Sequence, residues 1–106
     1  MRKAKVTIDN AELQVASEML RALAHPLRLQ IFDYIDKSKQ VNVNKIYSAL
    51  KLEQSITSQH LRILRLTGLV TTERDGKMIY YTIDYDKLAQ VVKALNSFND
   101  TSSKSE

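Results

Sequence analysis

The chain has 106 residues, 43 % of them hydrophobic and 26 % charged, with a formal net charge of +4. That size and balance fit one small globular domain, whose limited core a dimer would extend, and exclude a disordered or membrane-spanning chain. Its apolar runs span only a few residues and the basic Met1-Arg-Lys-Ala-Lys5 leads into none, so neither a membrane span nor a secretion signal is expected and the location is cytoplasmic. With no cysteine, disulfides, thiolate metal sites, thiol redox sensing and cysteine nucleophiles are all removed.

In chain order, residues 1–8 read as a loose, flexible arm. Asp9-Asn-Ala-Glu12 has capping-box spacing and opens a first helix with Leu13, Ala16, Leu20 and Leu23 on one stripe. His25-Pro26 ends it, because the residue before proline is pushed out of helical geometry, while Pro26 suits the first turn of the next helix. A packing or capping role at that helix start suits His25 better than a ligand or pH-sensing one. The second helix runs to about Lys37, with Leu27, Ile31 and Tyr34 or Ile35 inward. Ser38–Val41 is a polar connector. Asn42 or Asn44 can cap a short third helix that turns Ile46 and Leu50 to the core.

A tight turn at Leu52–Gln54 opens a fourth helix, closed by Gly68. Two strand-like runs then flank Asp75-Gly76, a strong hairpin signal, and Ile79, Tyr81 and Ile83 alternate onto one face. Asp84 or Asp86 caps a last helix carrying Leu88, Val91 or Val92, Leu95 and Phe98, and residues 99–106 form a polar, frayed, flexible tail. The predicted architecture is mainly α with some β: a winged helix-turn-helix over residues 9–98, four helices, a hairpin wing and a C-terminal dimerisation helix.

The fourth helix carries the functional reading. Thr57, Leu61 and Leu64 stand at i, i+4 and i+7 and face inward, leaving Ser55, Ser58, Gln59 and Arg62 on the other side. A polar first turn with Gln54, Ser55, Ser58 and Gln59 is what a helix needs to bond base edges in a major groove. Glutamine can bond adenine bidentately, serine reaches bases or phosphates, and Arg62 lies a turn further on, at phosphate distance. Ile56 either meets DNA, against a thymine methyl, or is core; the spacing leaves both open. Arg74 and Lys77 flank the hairpin tip, where cations meet the backbone or minor groove. His60 is a structural or phosphate-facing residue. Lys45 and Lys51 are weaker candidates for phosphate.

Charge placement agrees. Residues 37–77 hold eight basic and three acidic side chains, net +5, which leaves −1 for the rest. A solvated basic surface would look the same, but here the excess sits on the segment expected to meet phosphate.

Three motifs resemble the ArsR/SmtB family of winged-helix transcriptional repressors. Ala22-Leu-Ala-His-Pro-Leu-Arg-Leu-Gln-Ile-Phe32 is similar to the opening of that family's second helix. Gln54-Ser-Ile-Thr-Ser-Gln-His-Leu-Arg-Ile-Leu-Arg65 with Gly68-Leu-Val70 looks like its recognition helix, and Gly76-Lys-Met-Ile-Tyr-Tyr81 like its wing. The resemblance spans roughly residues 10–98. It implies a homodimer, joined through the first and last helices, that binds a palindromic operator in double-stranded DNA and represses transcription. Leu13, Leu20, Leu88, Val92 and Leu95 are the dimerisation candidates on those helices.

Many members of that family release DNA when a metal binds, but the familiar ligands are replaced here. Val41-Asn-Val-Asn44 stands where a Leu-Cys-Val-Cys pair would supply thiolates, and neutral amides are poor ligands for soft metals. Tyr85, Lys87 and Phe98 fall where Asp and His ligands of the last helix would be. No cofactor is expected, and any effector is a small molecule or protein acting elsewhere. The five tyrosines (Tyr34, Tyr47, Tyr80, Tyr81, Tyr85) could line a pocket, although scattered tyrosines in a small core also serve simply as packing.

Two other classes compete with this reading. An enzyme finds no phosphate loop, no nucleophile with a supporting base, and only ordinary surface acids such as Asp33 and Asp36. A winged-helix protein-interaction module that has lost operator binding is the stronger alternative. The polar first turn, the basic segment and the unbroken wing argue against it.

Overall fold

The computed structural model describes the backbone of residues 2–104 and the side-chain surroundings of residues 11–96. In order it contains α1 (Arg2–Leu23), α2 (Pro26–Ser38), β1 (Val41–Asn42), α3 (Val43–Leu50), α4 (Gln54–Thr67), β2 (Val70–Asp75), β3 (Met78–Ile83) and α5 (Tyr85–Lys104). The strands form one antiparallel sheet in the order β1-β3-β2. The predicted winged helix-turn-helix is therefore the fold. No described helix is long and apolar enough to cross a membrane.

Local chemistry accounts for the helix ends. His25, extended at φ −73°, caps α2 by accepting at Nδ1 from the Leu27 N–H, with Pro26 in the first turn. Asn42 rather than Asn44 caps α3, its Oδ1 accepting from the Lys45 N–H at 2.8 Å. Asp84 rather than Asp86 does the same for α5, accepting from the Lys87 N–H at 3.0 Å. Gly68 ends α4 at φ +86°, a left-handed conformation that costs a side-chain-bearing residue about 1 kcal/mol.

One core joins all the layers. Ala16 and Met19 of α1, Ile31, Phe32 and Ile35 of α2, Ile46 of α3 and Leu61 and Leu64 of α4 pack with Val41, Leu69, Val70, Ile83 and Val91. A buried apolar side chain of this size contributes about 1.5–3 kcal/mol relative to exposure, which is what holds such short helices in place.

Several expectations are corrected. The first helix starts at Arg2, so residues 2–8 are helical rather than a loose arm and Asp9–Glu12 lie inside the helix, not at its cap. Residues 2–8 contain neither Gly nor Pro, and nothing in them stops a helix from propagating. By the same reasoning α5 runs on to Lys104, so most of the expected frayed tail is helical. Met1, Ser105, Glu106 and the side chain of Phe98 lie outside the described residues. On α1 the inward line is Ala16, Met19 and Ala22, while Leu20 is 42 % exposed.

The connector after α2 is not purely a loop: Val41 and Asn42 pair with Tyr81 and Tyr80 as a third strand. Two residues are too few to show alternation, so this strand exists only because β3 presents an edge. The hairpin turn is also one residue later than expected. Asp75 still pairs with Met78, and the two-residue turn is Gly76-Lys77 with Gly76 at φ +66°. Glycine first with positive φ is the type II′ pattern, one of the two turns that match strand twist. Beyond the core, β3 rises towards solvent: Ile83 is buried, Tyr81 half-buried and Ile79 46 % exposed.

Candidate nucleic-acid interface

Helix α4 has two sharply different faces. Thr57, Leu61 and Leu64 are each 0 % exposed, so the helix is fixed to the core along its whole inner side. Thr57 occupies a core position without an unmet hydroxyl, because its Oγ1 donates to the Glu53 carbonyl at 2.9 Å. That settles the choice the spacing left open. Thr57 is core, and Ile56 is outside it at 38 % exposed. Gln54, Ser55, Ser58, Gln59 and Arg62 are all exposed. Among the described residues none of these five side chains holds a hydrogen bond, and their donors and acceptors point to solvent on a helix that cannot roll.

The helix-turn-helix corner is tight. Lys51 closes α3 in the left-handed region at φ 57°, and the Leu52 N–H donates to the Tyr47 carbonyl at 2.9 Å. Lys45 and Lys51 are exposed on that element. At the wing, Arg74 and Lys77 are exposed, and the Arg74 Nε donates to the Gly76 carbonyl at 3.3 Å, folding the guanidinium back over the tip. Gln40 donates to Glu73 at 3.2 Å, tying the connector before β1 to the wing strand β2.

His60 is not part of the exposed set. It is half-buried against α2, where its Nδ1 accepts from the Arg28 Nε at 3.2 Å, and its ring lies 4.7 Å from that of His25. Burial, then the neighbouring His25 and Arg28, lower its pKa below the usual 6.5. Arg28 also donates to the Ala22 carbonyl at 3.3 Å, so one guanidinium bridges the end of α1 and helix α4. Sequence reasoning missed this trio. Arg28 and His60 are 32 residues apart, and only tertiary packing brings them together.

The positions where metal ligands of the resemblance would fall have other work. Asn42 is the α3 cap. The Tyr85 hydroxyl donates to Asp36 at 2.6 Å, with Lys39 lying 5.4 Å from its ring centroid, which ties the start of α5 to the end of α2. The bond to Asp36 raises the Tyr85 pKa. Among the described residues no three His, Asp or Glu side chains gather as a metal site would require.

Of the dimerisation candidates, Leu88 and Leu95 are partly buried against the chain's own core and Leu13 is half-buried. Leu20 and Val92 face outward at 42 % and 48 % exposed, as does the neighbouring Val15 at 54 %. Helices α1 and α5 pack on each other, with a trough between them lined by Val15, Met19, Gln90 and Ala94.

Comparison with known proteins bears directly on this arrangement. The profile of the family described as bacterial regulatory protein, arsR family, matches residues 25–72, from the start of α2 into β2. The transcriptional repressor PagR of Bacillus anthracis is 39 % identical over 89 residues, covering 84 % of this chain and 89 % of that protein. The HTH-type transcriptional repressor SmtB of Mycobacterium tuberculosis is 40 % identical over 80 residues, covering 76 % of this chain and 58 % of that longer protein. The crystal structure of the Bacillus anthracis PagR superposes with a TM-score of 0.70 at 38 % identity, covering 81 % of this chain and 98 % of that one. The similarity runs past the helix-turn-helix on both sides instead of stopping at one motif, and the chain therefore belongs to the arsR family of bacterial regulatory proteins, DNA-binding transcriptional regulators that are not enzymes.

Proposed function

We propose that this regulator is a repressor that binds a palindromic operator as a homodimer. Helix α4 enters the major groove and the wing lies on the backbone or in the minor groove. The observation that carries the reading is the pairing of a wholly buried inner face of α4 with a polar outer one that has no partner among the described residues. Gln54, Ser55, Ser58 and Gln59 read base edges, Ile56 takes apolar contact with a thymine methyl, and Arg62, Arg74 and Lys77 meet phosphate. His60 acts from behind the helix. Relatives named as transcriptional repressors support the direction of control.

The dimer forms through α1 and α5. Leu20 and Val92, with Val15 beside them, supply exposed apolar surface there, and Leu13, Leu88 and Leu95 border it. Twofold symmetry would place two α4 helices on one side of the duplex, and that symmetry is what a palindrome mirrors. The effector, where one acts, is not a metal at the family's usual positions, since Asn42 is committed as a helix cap.

The test is a fluorescence-anisotropy titration of the purified protein against a duplex from upstream of its own gene and a scrambled duplex, at two salt concentrations, with and without zinc. Tight, salt-sensitive, operator-selective binding unmoved by zinc is expected. Binding no better than to the scrambled duplex would count against this operator and favour a protein-interaction module. Release by zinc would overturn the metal-independent reading.

A further inference from the structure

Arg28 and the two histidines form a cluster that operator contact does not absorb. Both ring nitrogens named above are acceptors: His25 Nδ1 takes the Leu27 N–H and His60 Nδ1 takes the Arg28 Nε–H at 3.2 Å. Each ring must then carry its single proton on Nε2 when neutral. A proton added to the His60 ring converts its acceptor into a donor, breaks the link to Arg28 and sets a cation against the guanidinium, with the His25 ring 4.7 Å away.

Arg28 is well placed to pass such a change on. Its guanidinium bonds the Ala22 carbonyl at the end of α1 and His60 on α4, so it braces the recognition helix against the α1–α2 corner. His60 immediately follows Gln59 on that helix. We propose that Arg28, acting through His60, is a positioning residue for the recognition helix, and that this link makes operator binding weaken on acidification. The inference rests on the operator-binding reading above.

The charged surroundings favour the effect. From the α1–α2 turn and α2, His25 and Arg28 face His60, and both disfavour its protonation. Helix α1 brings Glu18 and Arg21 to the groove that Arg28 lines. Helix α3 carries Lys45, Tyr47 and Lys51 and strand β2 carries Glu73, Arg74 and Asp75. Among the described residues no carboxylate pairs with Arg28 or with His60. His25 and His60 are the chain's only histidines.

Two measurements decide it. The first uses the free full-length protein: histidine ring resonances and α4 amide exchange are followed by NMR from pH 8 to pH 5.5. Protection of the α4 amides, taken relative to their intrinsic exchange at each pH, should fall as His60 titrates. In His60→Asn, whose amide oxygen offers Arg28 a non-titrating acceptor, it should not. Unchanged α4 protection across the His60 titration would overturn the proposal. The second repeats anisotropy with the upstream and scrambled duplexes at fixed ionic strength. Selectivity for the operator should fall in wild type by about three- to tenfold for each subunit, the size of one lost hydrogen bond, and stay level in His60→Asn. Arg28→Met should show the reduced selectivity already at pH 8. Tighter operator binding on acidification would mean the imidazolium meets phosphate directly, and would overturn the positioning role. Failure to bind the operator at any pH would sink the operator reading, while the NMR arm still decides whether the brace is pH-sensitive.

Discussion

Gln59→Ala separates recognition from folding more cleanly than any other single change on α4. Gln59 is exposed and, among the described residues, holds no hydrogen bond within the chain. Its loss should leave folding stability within about 0.5 kcal/mol of wild type. On DNA, each bidentate glutamine–adenine contact discriminates by about 1–3 kcal/mol. A homodimer presents two copies of α4, so the operator should lose about 2–6 kcal/mol, or roughly thirtyfold or more in Kd. The side chain is neutral, so the slope of binding against salt should not move and binding to random DNA should be unchanged. Anisotropy with operator and scrambled duplexes at several salt concentrations, beside a thermal melt, reads all three quantities. An unaltered operator Kd would refute the assigned face. Equal losses on both duplexes would refute base reading, and a lowered melting temperature would show that Gln59 has structural work.

Three further outcomes are expected. Leu61→Ala, two residues along on the face that is 0 % exposed, should cost about 2–5 kcal/mol in urea unfolding; a cost below 1 kcal/mol would mean that α4 is not anchored as described. Val92→Glu, at a position 48 % exposed within one chain, should keep the native circular dichroism but halve the mass seen in sedimentation, and a variant that remains dimeric would move the interface off α5. The third concerns pH and stability. The folded-state pKa of His60 is lowered from 6.5, so the unfolded chain takes up its proton first as pH falls. Its contribution is fully present above about pH 6.5 and is lost between there and the lower folded value. Urea midpoints between pH 8 and 5.5 should therefore drop more in wild type than in His60→Asn, and parallel curves for the two would contradict the sign.

What could be read from the sequence is what local chemistry controls. The caps of α2, α3 and α5, the Pro26 start, the Gly68 stop and the i, i+4, i+7 line of Thr57, Leu61 and Leu64 act over a few residues. Each therefore left its mark in spacing and residue type. The polar outer face of α4 was legible for the same reason, being the complement of that line.

The departures arose where a partner element decides. Strand β1 depends on the edge of β3, and the one-residue shift of the wing turn depends on the pairing of Asp75 with Met78. Periodicity could not say which apolar residues of α1 turn to the chain's own core and which remain outside, because Met19 and Leu20 are alike in hydrophobicity and differ only in what packs beside them. Ile56 and Thr57 were ambiguous until neighbouring elements fixed the rotation of α4. The bond from Arg28 to His60 has no local signature at all. It joins residues 32 positions apart, and only the packing of α2 against α4 gives each side chain its partner.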